Sequence, residues 1–115
     1  MAPDCLFCKI VAGEIPADVV VDNDACVAFR DVNPQAPTHV VVIPKAHHPD
    51  LAAVAAADPE LTGRLIATCT EVAGLEELEE GGYRVVFNTG AGAGQTVFHV
   101  HGHVLGGRPM TWPPG

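Results

Sequence analysis

The sequence contains no serine, which excludes serine-nucleophile chemistry and the nucleophile-elbow motif of the serine hydrolases. His, Cys, Thr and Lys remain as candidate nucleophiles. Positive charge is also scarce: 6 Lys and Arg stand against 14 Asp and Glu in 115 residues, a formal net charge of −8. Non-specific nucleic-acid affinity comes from clustered Lys and Arg releasing counterions, so a nucleic-acid polymer is not expected as a partner. Any phosphate bound must be small. No apolar run approaches the roughly 20 residues of a membrane span, and Met1-Ala2-Pro3-Asp4 lacks the charged and apolar regions of a secretory leader. A cytoplasmic protein with no membrane partner is expected, in which Cys5, Cys8, Cys26 and Cys69 are reduced thiols. The 48% of hydrophobic residues suffices for one core, and residues 1–115 are expected to form a single domain without repeats or linker.

Val19 to Asp22, Cys26 to Phe29 and Val40 to Pro44 read as three strands, separated by Asn23-Asp24 and by the proline-containing stretch 33–37. Asp58-Pro59-Glu60 supplies an N-cap, a first-turn proline and a first-turn acid. Leu61, Leu65, Cys69, Val72 and Ala73 then recur at helical spacing, predicting a helix that Gly81-Gly82 ends. Glu76, Glu77, Glu79 and Glu80 crowd that end and read as a solvated surface. Tyr83 to Phe87 and Phe98 to Leu105 read as two further strands joined through Gly90-Ala91-Gly92-Ala93-Gly94, a flexible connection. Strands at both ends with a helix between give an α+β pattern.

His99, His101 and His103 stand at two-residue spacing. On one strand their rings share a face at intervals of about 6.6 Å, with Phe98, Val100 and Val104 on the opposite, buried face. A row of three titratable rings has little packing purpose, so two functional readings compete. Two of these histidines could share a metal with a ligand from elsewhere. Alternatively, one imidazole attacks phosphorus while its neighbours hold phosphate oxygens and move protons. Gln95, Thr96 and the amides of the glycine-rich loop would add donors, and Asn88 could point to the same place. Cys5 and Cys8 form a single CxxC, half of a zinc site that His47 or His48 and a triad histidine could complete. A redox pair or two inert thiols are the rivals, and Cys26 and Cys69 read as core filler.

His99-Val100-His101-Gly102-His103-Val104-Leu105, preceded by Gly94-Gln95-Thr96-Val97-Phe98, resembles the motif of the histidine triad (HIT) family. The segments 5–16, 28–31, 37–39 and 42–45 extend the resemblance over nearly the whole chain. The ending 106–115 is similar to that of the Hint branch, the purine nucleoside phosphoramidases.

The resemblance implies a HIT-like α+β fold: a five-stranded antiparallel sheet with a central helix and a short N-terminal helix, the sheet continuing across a homodimer. It implies hydrolysis of a purine nucleoside 5′-phosphoramidate through a nucleotidyl-histidine on His101. His103, Gln95, Thr96 and Asn88 would hold the phosphate, and His39 would support the nucleophilic ring by hydrogen bonding. Phe29 and Val32 would border the purine and Asp31 would accept from the ribose hydroxyls. Cys5, Cys8, His47 and His99 would hold a structural zinc ion. Trp112 would either pack on its own domain or approach the partner subunit's site and influence the leaving group. Hydrolysis of dinucleoside polyphosphates, or zinc-dependent nucleotide binding without turnover, are the alternative functions. One departure stands out: Gly102 replaces an apolar side chain of the family pattern, which predicts weaker packing behind the triad.

Overall fold

Asn23 makes the first reversal of the chain. Its Oδ1 accepts from the N–H groups of Ala25 (3.0 Å) and Cys26 (2.8 Å), folding β1 (Val19–Asp22) back on β2 (Cys26–Arg30). With β3 (Thr38–Pro44), β4 (Tyr83–Val86) and β5 (Gly102–Gly106) these strands form a five-stranded antiparallel sheet in the order β1-β2-β3-β5-β4. The computed structural model describes residues 4–115; Met1–Pro3, on which much of the leader reading rests, lie outside the described residues. No helix among the described residues is long and apolar enough to cross a membrane.

Among the described residues three α-helices cover the sheet. α1 (Leu6–Val11) is the expected short N-terminal helix, and the Cys5 Sγ caps it by accepting from the Cys8 N–H at 3.3 Å. α2 (Leu51–Ala57) was not legible, because its alanine-rich run carries a single buried residue, Val54. α3 (Pro59–Leu75) begins as expected, with Asp58 Oδ1 accepting from the Leu61 N–H at 3.0 Å. It stops before Gly81-Gly82, at Leu75, and Glu77 turns the chain with φ 58°. The acidic end is not wholly solvated: Glu76 accepts from the two terminal guanidinium nitrogens of Arg30, at 2.7 and 3.1 Å.

The two faces of the sheet carry different jobs. Val40, Val42 and Val104 pack with Leu65, Cys69 and Val72 of α3. On the other face Val27, Phe29, Val41 and Ile43 pack with Phe7 of α1. β3 is buried on both sides from His39 to Pro44, as befits the central strand. In its register with β5, Val41 pairs with His103 and His39 with Leu105, so His39 and His103 are diagonal neighbours on the α1 face.

β5 is shorter than the expected Phe98–Leu105 strand. The Val100 N–H leaves the ladder to bond the His48 carbonyl at 2.7 Å, and pairing starts only at Gly102. Val100 and Val104 are buried as expected, whereas Phe98 is 51% exposed. Nor does Gly102 leave a gap behind the triad. A Cβ there would stand 2.8 Å from Phe87 Cζ and 3.0 Å from Cys69 Sγ, so the phenyl ring and the thiol already fill the space of the missing side chain.

Candidate active site

The row of histidines divides. His99, fully buried, turns toward α1 and the segment after β3: its Nε2 lies 2.8 Å from the Pro44 carbonyl oxygen, and its Nδ1 faces Cys5 Sγ (3.4 Å), Cys8 Sγ (3.6 Å) and His47 Nδ1 (3.2 Å). His101 lies against Phe7, ring centroids 5.0 Å apart and edge to face, with His103 4.9 Å on its other side. The expectation of three equivalent rings on one strand therefore fails, because only His103 belongs to the paired part of β5.

The His101 Nδ1 is 2.8 Å from the His99 carbonyl oxygen, an acceptor only, so Nδ1–H donates and Nε2 keeps its lone pair. Burial, the main cause, lowers the His101 pKa below the usual imidazole value, so the ring is neutral and nucleophilic at pH 7. His39 was expected to support this ring, but its Nε2 instead meets His103 Nδ1 at 2.9 Å. The His99 backbone orients His101. Burial, reinforced by the neighbouring His101 and His39, pushes His103 down to about 4. Burial also lowers His39, against the opposing charge of Asp31.

Phe29, Asp31 and Val32 line one cleft of about 880 Å³, together with the apolar side chains of Leu6, Phe7, Ile10 and Val41. Phe7 joins this cleft to His101. Asp31 Oδ1 accepts from the Asn33 N–H at 2.8 Å, and Oδ2 lies 3.5 Å from His39 Nε2. Val32 is fully exposed and forms the rim.

The glycine-rich connection is more ordered than a flexible hairpin. Ala91–Ala93 form one 3₁₀ turn, flanked by Gly90 at φ 87° and Gly94 at φ 93°, conformations that favour glycine. The buried Gln95 side chain binds the loop instead of offering itself to a ligand: Oε1 accepts from the Gly90 N–H at 2.9 Å, and Nε2 donates to Pro49 (2.7 Å) and Val97 (3.0 Å) carbonyls. Asn88 is half-buried just after β4. Thr96 is exposed and borders a second cleft of about 420 Å³, shared with Cys5, Leu6, His47 and Phe98. Trp112 does not pack on its own domain. It is 82% exposed, and Arg84 holds the tail through the Thr111 carbonyl at 2.9 Å.

Cys5, Cys8, His47 and His99 bring one ligand atom each within 4.8 Å of one another, whereas His48 stays outside the group. A tetrahedral zinc with bonds of about 2.0 Å to nitrogen and 2.3 Å to sulfur has N···N edges of about 3.3 Å and N···S edges of about 3.5 Å. The observed 3.2 Å between imidazole nitrogens and 3.3–3.6 Å between nitrogen and sulfur match those edges. The Pro44 carbonyl also fixes the proton of His99 on Nε2, leaving Nδ1 as a ligand atom. Asp31, His39 and His103 converge within the same limit but do not fit a metal. The Gln35 N–H donates to His39 Nδ1 at 3.1 Å, so the proton of the neutral ring occupies the Nε2 that would have to ligate.

The family pattern of the HIT domain matches residues 12–110. The chain belongs to the HIT family. Among HIT proteins it is 53% identical to an uncharacterized HIT-like protein of Synechocystis sp. over the whole of both chains. It is 44% identical to the purine nucleoside phosphoramidase of Escherichia coli, covering 96% of this chain and 92% of that protein. The crystal structure of a HIT family hydrolase from Legionella pneumophila superposes with a TM-score of 0.93 at 52% identity, over 97% of this chain and 100% of that one. A histidine triad nucleotide-binding protein from Candida albicans superposes with a TM-score of 0.83 at 30% identity, over 96% and 83%. The family thus includes hydrolases related to this chain across almost its full length.

Proposed function

We propose that this HIT-family hydrolase cleaves purine nucleoside 5′-phosphoramidates through a covalent nucleotidyl-histidine. The observation that carries the reading is the His101 ring, neutral, with its proton held at Nδ1 by the His99 carbonyl, its lone pair left on Nε2, and Phe7 of the cleft wall packed edge to face against it. The 44% identity to the Escherichia coli phosphoramidase supports the substrate class. In this mechanism the base lies among the apolar walls around Phe29 and Val32, and Asp31 Oδ2 accepts from the ribose. His101 Nε2 forms a bond to the α-phosphorus as the bond from phosphorus to the amine breaks; the amine leaves with a proton taken from solvent, and the phosphorylated ring, still protonated at Nδ1, becomes cationic. Water then attacks phosphorus, returns one proton to solvent, displaces His101 as the neutral ring and releases the nucleoside 5′-monophosphate. His103, with Thr96 and Asn88, is assigned to the phosphate oxygens.

Zinc would be held by Cys5, Cys8, His47 and His99, where it supplies structural cross-linking only, since four protein ligands leave no position for water. Protein purified without chelator is expected to carry about one zinc per chain by elemental analysis, and Cys8→Ala to lose it. A metal-free wild type would overturn the assignment.

The active form is proposed to be a homodimer whose sheet continues through β4. That edge strand, together with exposed Ile66 and Leu75 on α3, Tyr83 on β4 and Trp112 in the tail, offers an unpaired surface among the described residues. The protein is assigned to the cytoplasm, with neither nucleic acid nor membrane as a partner.

The deciding experiment compares adenosine 5′-phosphoramidate with a diadenosine polyphosphate in steady state. Faster AMP release from the phosphoramidate is expected. Preference for the dinucleotide would reassign the leaving group, and AMP binding without turnover of either would mark a nucleotide-binding protein.

A further inference from the structure

We infer that His103 is held as an Nε2–H donor by a hydrogen-bond relay that starts outside the cleft, at the Gln35 backbone amide and the Arg108 guanidinium. Arg108 and Gln35 are positioning residues for the proposed reaction. The relay's spectroscopic test is independent of that reading; only its kinetic arm rests on it.

A neutral imidazole has one donor nitrogen and one acceptor nitrogen, so whatever binds one of them decides the other. A backbone N–H can only donate. The Gln35 N–H points at His39 Nδ1 at 3.1 Å, which makes Nδ1 the acceptor and leaves the proton on Nε2. That proton has His103 Nδ1 at 2.9 Å and Asp31 Oδ2 at 3.5 Å, and the shorter contact goes to His103. His103 Nδ1 is therefore an acceptor too, and its own proton lies on Nε2. His101 has the opposite tautomer, fixed by the His99 carbonyl. Two rings with centroids 4.9 Å apart thus present unlike Nε2 atoms, one a lone pair for phosphorus and the other an N–H for a phosphoryl oxygen or a departing amine. The reverse tautomer of His103 would turn a lone pair toward an anion.

The first link of the relay depends on where the Gln35 amide stands, and the surrounding chain is tied down to place it. The Asp31 N–H bonds the His39 carbonyl at 3.0 Å, closing the loop ahead of β3. Inside that loop Gln35 Nε2 donates to the Asn33 carbonyl at 2.9 Å. From outside, Arg108 Nε donates to the Gln35 carbonyl at 3.1 Å. Arg108 reaches it because Gly107, at φ 89°, lies against Pro37: a Cβ there would come within 2.9 Å of Pro37 Cβ. The burial that keeps both His39 and His103 neutral at pH 7 preserves the donor and acceptor alternation on which the relay depends.

The test reads tautomers directly. In ¹⁵N-labelled full-length protein with its metal as purified, spectra correlating ring nitrogens with ring protons near pH 7 should show His39 and His103 as Nε2–H and His101 as Nδ1–H. His103 as Nδ1–H, or as an even mixture, would overturn the proposal. One hydrogen bond of ordinary strength biases such an equilibrium by about tenfold. Gln35→Pro, which deletes the N–H, should therefore raise the Nδ1–H form of His39 and His103 to about half. Arg108→Met should shift both rings in the same direction, and Arg108→Lys, which keeps a donor, should restore the wild-type spectrum. With adenosine 5′-phosphoramidate, kcat/KM of Arg108→Met should fall about threefold or more in step with the tautomer shift. A lowered rate with unchanged tautomers would overturn the relay and leave Arg108 a merely structural residue. If Gln35→Pro does not fold, the wild-type spectrum and the Arg108 pair still decide. The stated tautomers in a protein that never turns over the phosphoramidate would uphold the relay and refute the function.

Discussion

His101→Ala should lower AMP release from adenosine 5′-phosphoramidate by at least about a thousandfold, while leaving the fold in place. The attacking atom is removed outright, and nothing nearby can replace it. His103 presents a proton at its Nε2 where attack needs a lone pair, and His99 is turned into the cysteine cluster with its Nε2 proton spent on Pro44. The stability cost is small by comparison, because the lost ring makes one backbone hydrogen bond and edge contacts with Phe7 and His103. Initial rates alongside thermal unfolding separate the two effects. A variant that keeps a tenth of the wild-type rate would remove His101 from the nucleophile's place. His103→Ala should cost less, about a hundredfold, since it loses a donor and not the bond-forming atom.

Gly102→Val should destabilise the protein by about 2–3 kcal/mol, even though valine suits strands. The first carbon of the new side chain already lies 2.8 Å from Phe87 Cζ and 3.0 Å from Cys69 Sγ, before the two methyl groups are counted. Gly102 is paired with Val42 of β3, and the next residue, His103, is held between Val41 of β3 and Val86 of β4, so the backbone at residue 102 has little room to retreat. Unfolding by heat should register a fall of about 10 °C. Phe87→Val in the same chain should return more than half of it, because a smaller side chain vacates the space the new valine needs. Additive losses in the double variant would show that Phe87 and residue 102 do not share a cavity.

This pair also shows where one sequence is legible and where it is not. Gly102 was visible as a departure, and glycine's missing side chain argued for loose packing. The compensating ring is fifteen positions away and announces nothing in the local pattern. Conversely, the Asp58-Pro59 start of α3, the Asn23 turn and most strand cores were readable, since caps, turns and apolar alternation are set by neighbours in the chain. The CxxC and the histidine row were legible as chemistry, and the structure gathers Cys5, Cys8, His47 and His99 as the resemblance implied. Strict spacing misled at residues 98–101, where side-chain and backbone bonds to Pro44 and His48 win over sheet pairing. Gln95 was legible as a polar residue near the site, but its inward hydrogen bonds to residues 49, 90 and 97 are tertiary facts.

β3 lies at the centre of the sheet with no exposed residue along its length. Its amides between β2 and β5 should exchange hydrogen for deuterium only on global opening, whereas those of the exposed 91–94 connection should exchange through local fluctuations. His39 and His103 are mounted on the slow pair of strands. The two rings through which the proton position is passed are therefore anchored to the part of the sheet that opens last.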